Sequence, residues 1–198
     1  MSRILVDQIR SNSASADAIT LDGSGNLTIP GNATCSGTAT GFGGGITMAD
    51  NWRINSGFAG EATPIANNWE RGDGTFEGYM GSSGLTESSG VFTFPSTGWY
   101  FVTFQHYVQY TTSVYNEMYL QFTSDSGSNW TDSVHTSCWT DNSSTTYQMA
   151  TASQLFDLTN VSTQKMRFRI RLGNTNTSNG ANSAYTLTGF YIIRLGDT

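Results

Sequence analysis

Charge is scarce in this chain. Only 12% of its 198 residues are Asp, Glu, Lys or Arg, against ~25% in ordinary globular domains. Lysine occurs once, as Lys165, and acids outnumber bases 15 to 9 for a net charge of −6. Binding to nucleic acid needs clustered cations that displace phosphate counterions, and this balance argues against it. Cysteine is nearly absent, with only Cys35 and Cys138. A disulfide framework needs more of them at paired spacings, so both are read as reduced. The two histidines, His106 and His135, stand at no metal-ligand spacing, and neither metal nor cofactor is expected. There is no nucleophile elbow and no phosphate-cradling glycine loop before a helix. No apolar run approaches the ~20 residues of a membrane span, so no membrane insertion is expected. Met1-Ser2-Arg3 is followed by only Ile4-Leu5-Val6 before Asp7, which does not read as an export signal.

What is abundant is glycine, 22 residues, together with Ser, Thr and Asn, and aromatic side chains at 13%. Such a surface is coated with hydroxyls and amides and turns often, which suits a rigid β-protein. The chain is organised around Gly90 to Phe104, GVFTFPSTGWYFVTF. Phe92 and Phe94, then Tyr100, Val102 and Phe104, alternate with the period of a strand that buries one face. Pro95-Ser96-Thr97-Gly98 lies between them and reads as a tight corner, because proline fixes φ and glycine tolerates positive φ. Two strands joined there feed one core.

Phe92, Gly98, Tyr100, Val102 and Phe104, with Leu85 seven residues before Phe92, resemble the signature of the complement-one-q globular head, one of the tumour-necrosis-factor-like jelly rolls. Tyr185-Thr186-Leu187-Thr188-Gly189-Phe190-Tyr191-Ile192 resembles the closing strand of that family. The resemblance spans residues 46–198. It implies an all-β, ten-stranded antiparallel jelly-roll sandwich that forms homotrimers, and it implies no enzymatic activity.

Two segments are expected. Residues 1–45 read as a thin β/coil shaft, and residues 46–198 as the jelly-roll head. Ile4, Leu5, Val6 and Ile9 are too few for a core and form a candidate docking plug, since an exposed apolar run is otherwise a liability. Ile19 and Leu21, then Leu27 and Ile29, flank the turn-rich Asp22-Gly23-Ser24-Gly25-Asn26 and predict a hairpin that needs neighbours to be stable. GNATCS and GTATGF over residues 31–42 share a six-residue offset, and Gly43-Gly44-Gly45 is a hinge. This leading segment is similar to the shaft segments of phage tail and fibre proteins.

Within the head, Thr123-Ser124-Asp125-Ser126-Gly127-Ser128-Asn129-Trp130 resembles the Asp-box hairpin, a structural motif in which the aspartate accepts hydrogen bonds from its own turn. Lys165, Arg167, Arg169 and Arg171 alternate with Met166, Phe168, Ile170 and Leu172, which places the cations on the solvated face of a strand. His106 lies within a strand and reads as a packed residue. Aromatic residues in turns can stack on sugar C–H faces while neighbouring Asp and Asn bind hydroxyls. Trp130, Trp139, Asp141 and Tyr147 are the candidate ligand-binding residues on that ground, with hairpin packing as the plainer reading.

The expectation is a non-enzymatic virion protein of a bacteriophage, assembled in the host cytoplasm. Its N-terminal segment would dock on other virion proteins, and its trimeric head would meet the host surface and its glycans. The alternative is a capsid decoration or adaptor with no host ligand. A glycan-degrading enzyme would require paired carboxylates in a cleft.

Overall fold

The computed structural model describes residues 7–9, 15, 19–24, 26–30, 46–75, 77–110, 114–141, 146–173 and 178–198. Ile4, Leu5, Val6, Cys35, Phe76 and the stretch 31–45 lie outside them. The chain divides into two compact units, Met1–Gly43 and Gly44–Thr198.

In the first unit β1 (Gln8–Ile9), β2 (Ile19–Leu21) and β3 (Leu27–Thr28) form an antiparallel sheet in that order. The expected hairpin is there, in the register Thr20↔Thr28 and Leu21↔Leu27. Ile9 pairs with Ile19, and its side chain is exposed. Asp22 holds the turn. Its carboxylate accepts from the backbone N–H of Ser24 at 2.9 Å and of Asn26 at 2.8 Å, and from the Asn26 amide at 2.7 Å.

The second unit is a sandwich, and its described residues contain no helix. Its strands are β4 (Met48–Ile54), β5 (Phe58–Ala59), β6 (Trp69–Arg71), β7 (Thr86–Ser88), β8 (Val91–Thr93), β9 (Gly98–Tyr110), β10 (Val114–Thr123), β11 (Thr131–Thr140), β12 (Thr146–Leu158), β13 (Lys165–Leu172), β14 (Ser178–Asn179) and β15 (Gly189–Gly196). One sheet has the order β11-β10-β13-β8-β7. In the other, β12 flanks β9 on one side and β15, β4 and β6 follow on the other, with the two-residue β14 and β5 continuing beside the far end of β9. Setting those two aside leaves the ten strands of a jelly roll in two five-stranded layers. Every pairing is antiparallel.

The corner at Pro95–Gly98 carries the chain from one layer to the other, since β8 and β9 belong to different sheets. That is why the stretch feeds one core from both sides. Phe92 on β8 and Phe168 on β13 meet Phe104, Phe190, Trp52 and Trp69 of the opposite sheet. Ring centroids lie 4.9 Å apart for Phe92–Phe190, 5.0 Å for Phe168–Phe190 and 5.1 Å for Trp69–Phe92. A second cluster joins Phe94, Tyr100, Phe122 and Phe156. The buried Tyr100 hydroxyl donates to Ser96 O at 2.8 Å, which satisfies it and pins the corner.

Three readings of strand extent change. The closing strand starts at Gly189 and not at Tyr185, and Asn182 caps the preceding turn by accepting from Ala184 N–H. The polar stretch 133–148 holds most of a strand, β11, which starts at Thr131 and whose inward positions are Val134, Thr136, Cys138 and Thr140. The strand expected from Met149 begins three residues earlier, at Thr146, and pairs with β9 over its whole length.

Candidate functional site

Both outer faces of the sandwich are unusual. On β9 the even positions are buried, which turns Trp99, Phe101, Thr103, Gln105 and Tyr107 outward. Register then fixes their neighbours. Phe101 lies between Leu155 on β12 and Ile193 on β15, Thr103 between Ser153 and Tyr191, and Tyr107 opposite Met149. Trp99, Phe101, Leu155, Tyr191 and Leu195 are each between 39% and 50% exposed. Among the outward positions of these three strands only Asp157 carries a charge. The apolar groups gather at two ends. Trp99, Phe101, Leu155 and Leu195 lie at one, and Tyr107, stacked on Tyr147 at 5.9 Å, lies with Met149 at the other. Between them the Thr103 and Ser153 hydroxyls share a 2.9 Å hydrogen bond. The face is thus two exposed apolar patches joined by an uncharged, hydroxyl-bearing middle.

Beside it, β4 carries Arg53 outward under a cover. Its guanidinium is fully buried and donates to Glu70 at 3.0 Å, to Asp73 and Glu77, and to Ser183 O. A buried cation needs such partners, because an unpaired one costs several kcal/mol. Asp50, on the core side of the same strand, accepts from Leu85 N–H at 2.8 Å and from Arg71 at 3.0 and 3.1 Å. These acids tie the 70–85 segment to the sheet and are spent on structure.

The other outer face is a ladder of cations on aromatic rings. Arg167 lies 4.2 Å over Trp130, Arg169 4.2 Å over Tyr119 and Arg171 5.6 Å over Tyr115. Tyr119 is stacked in turn on His135 at 4.8 Å. Arg169 pairs with Asp132 at 2.7 Å and Arg171 with Glu117 at 3.9 Å. The four basic residues thus face outward, as the alternation requires, while Met166, Phe168, Ile170 and Leu172 are buried.

The Asp-box is built as its sequence predicts. Asp125 accepts from Asn129 N–H at 2.9 Å, from the Asn129 amide at 2.7 Å and from the Thr123 hydroxyl at 2.6 Å. The Thr123 hydroxyl and then the Asn129 donors hold its carboxyl well below the usual range. Trp130 Nε1 donates to Gly127 O at 3.0 Å. The motif is a hairpin clamp.

The four candidate ligand residues do not form one site. Trp130 precedes β11 and Trp139 is its last residue but one, so they stand roughly 30 Å apart by strand rise. Trp139, 60% exposed, and Asp141 lie at the β11–β12 tip. Asp141 accepts from the Thr146 hydroxyl at 3.0 Å. Tyr147 follows on the apolar face of the opposite sheet, against Tyr107.

Among the described residues, the thiol of Cys138 and the ring of His106 are both held in their neutral forms by burial. Burial pushes the Cys138 thiol up to about 11. His106 is fully buried, and burial drives it down to about 4 although its hydrogen bond to Asn179 acts the other way. Among the described residues no three His, Cys, Asp or Glu side chains come together as a metal site.

Sheet order, corner and strand lengths decide the fold. It is the tumour-necrosis-factor jelly roll. Eiger TNF from S. frugiperda matches with a TM-score of 0.57 at 12% identity, over 77% of this chain and 95% of that one. Murine APRIL at pH 5.0 matches with a TM-score of 0.53 at 11% identity, over 75% and 98%, and at pH 8.5 with 0.52 at 10%, over 75% and 98%. At such identities the likeness is one of fold. No protein-family model and no curated protein matches the chain.

Sequence reasoning missed the apolar face. Its signal was present: from Trp99 to Phe104 five of six residues are apolar or aromatic, so both sides of the strand are apolar. Only the partner sheet decides which side is covered.

Proposed function

We propose that this chain is a non-enzymatic surface module of a bacteriophage particle that works as a homotrimer. One observation carries the reading, the nearly uncharged apolar stripe along β9, β12 and β15. The stripe runs with the strands, so identical copies pack side by side about an axis roughly parallel to them, and a closed ring of such contacts leaves no apolar surface open. Three copies are what the resemblance to the complement-one-q head implies. The leading segment, with Ile4, Leu5, Val6 and Ile9, docks the trimer on other virion proteins, and the head is displayed outward.

In this arrangement the cation–aromatic ladder and the β11–β12 tip remain on the outside of the ring. They are the surfaces offered to a host glycan, and three weak contacts on one rigid body sum by avidity. Light scattering of the purified full chain tests the assembly, and a single-chain mass at micromolar concentration would refute it. Competition of the free chain with particle adsorption tests display. Unchanged adsorption would favour a capsid decoration or adaptor.

A further inference from the structure

Among the described residues, every arginine except one has a carboxylate partner. Arg53, Arg71, Arg169, Arg171 and Arg194 are all paired. Arg167 and the sole lysine, Lys165, are not. This is unexpected in a chain with 15 acids and 9 bases, where any exposed cation has acids to spare. The two unpaired cations are neighbours. They sit two residues apart on the outward face of β13 and line one groove of about 460 Å³ together with Ser88, Ser89, Ser126 and Trp130.

The groove is firmly built. One wall is the β7–β8 turn, where Ser89 and Gly90 both take positive φ, 52° and 79°. That is the pattern of a two-residue hairpin turn whose twist matches its strands. The opposite wall is the Asp-box turn, clamped by Asp125. The floor is β13 together with Val91 and Thr93 of the neighbouring β8. Arg167 is held from two sides, by the Trp130 ring beneath it and by Gln121 Oε1, which accepts from its Nε at 2.7 Å. The residues that line the groove contribute two cations, several hydroxyls and no carboxylate.

We propose that this groove binds an acidic sugar, a saccharide unit bearing a carboxylate or a phosphate, with Lys165 and Arg167 on the anion and the serine hydroxyls on the ring hydroxyls. The class follows from the lining. Two neighbouring cations with no carboxylate at ion-pair distance call for one or two negative charges, and the hydroxyl-rich walls call for a polyhydroxylated body. Two cations on an acidic protein do not suffice for a polyphosphate chain. The proposal deepens the glycan-facing reading of the head and rests on it for the class of polymer.

Saturation-transfer NMR on the full chain tests it, with D-glucuronate, glucose 6-phosphate and glucose as probes and inorganic phosphate titrated in as a competitor. Transfer to the ring protons of glucuronate or of glucose 6-phosphate is expected, and whichever binds identifies the acid. Glucose should bind at least about tenfold more weakly, and K165Q and R167Q should each weaken binding by about tenfold, because charge-assisted hydrogen bonds are lost. R167K, which keeps the charge, should retain part of it. Binding of neither acidic sugar, equal binding of glucose, equal affinity for phosphate alone, or binding that survives both glutamine variants would overturn the site. Light scattering on the same samples separates the outcomes: a trimer that binds no acidic sugar loses only the groove, and a monomer that binds one loses only the assembly.

Discussion

His106 donates through Nε2 to Oδ1 of Asn179 at 2.8 Å, deep inside the head. The direction follows from the amide. Asn179 Nδ2 is engaged with Gly60 O at 2.9 Å and Phe58 O at 3.3 Å, so its oxygen faces the ring and can only accept. His106 therefore carries its proton on Nε2 and is neutral, and it ties β9 to β14 and the loop beyond β5. Burial lowers it from 6.5 to about 4. The unfolded chain thus takes up this proton at a higher pH than the folded one. The stabilisation is complete above pH 6.5 and is lost as pH falls toward 4, by ~3 kcal/mol over the full range. Urea unfolding between pH 7 and pH 4 should show that slope, and His106→Gln should remove most of it. A slope unchanged in the variant would locate the titration elsewhere.

The corner makes a second prediction. Gly98 has φ of +142°, and a Cβ there would run into Gly196 O and the Arg194 guanidinium. Gly196 itself, opposite Trp99 on the neighbouring strand, has open space and an ordinary φ. Gly98→Ala should cost ~2–4 kcal/mol, combining strained backbone with a blocked strand pairing, whereas Gly196→Ala should be near neutral. Thermal melts of the two variants compare them directly.

These contrasts show what was legible in the sequence. The alternation of Phe92, Tyr100 and Phe104, the Gly98 corner and the Asp-box could be read because each is local: a period of two, a φ constraint, a side chain bonding its own turn. The cations on β13 could be placed on one face for the same reason. Their pairing could not. Asp132 reaches Arg169 from β11, and Arg53 is closed over by Glu70 from the neighbouring β6 and by Asp73 and Glu77 from the loop that follows it. Such partners come from sheet order, which one strand does not encode. For the same reason the four proposed ligand residues fell at different places. An aromatic beside Asn, Ser and Asp reads as a turn residue whether it does lie in a hairpin turn, like Trp130, or inside a strand, like Trp139 on β11 and Tyr147 on β12.

Phe168 lies where the two layers meet, touching the rings of Trp69, Phe92, Phe104 and Phe190. Phe168→Ala should cost ~3–5 kcal/mol, since rings from both sheets cannot all collapse into the void. Phe168→Leu keeps most of the volume and should cost about half as much or less. Chemical denaturation measures both. A small loss in the alanine variant would mean that the aromatic cluster is not the shared core of the two sheets.

Leu155 and Trp99 distinguish folding from assembly. Both side chains are already half in water within one protomer, so Leu155→Glu and Trp99→Glu should leave the protomer within about 1 kcal/mol of its starting stability. In a ring closed over the β9–β12–β15 stripe the same carboxylates would be buried without a partner, at several kcal/mol for each of the copies. The expected result is a folded chain of single-chain mass, with circular dichroism unchanged and light scattering reduced to one third. Salt supplies a second reading. An apolar seam should persist or tighten in sulfate, whereas contacts made by charge would weaken. Glutamate variants that assemble as well as the parent would place the copies on some other face and leave the stripe without a role.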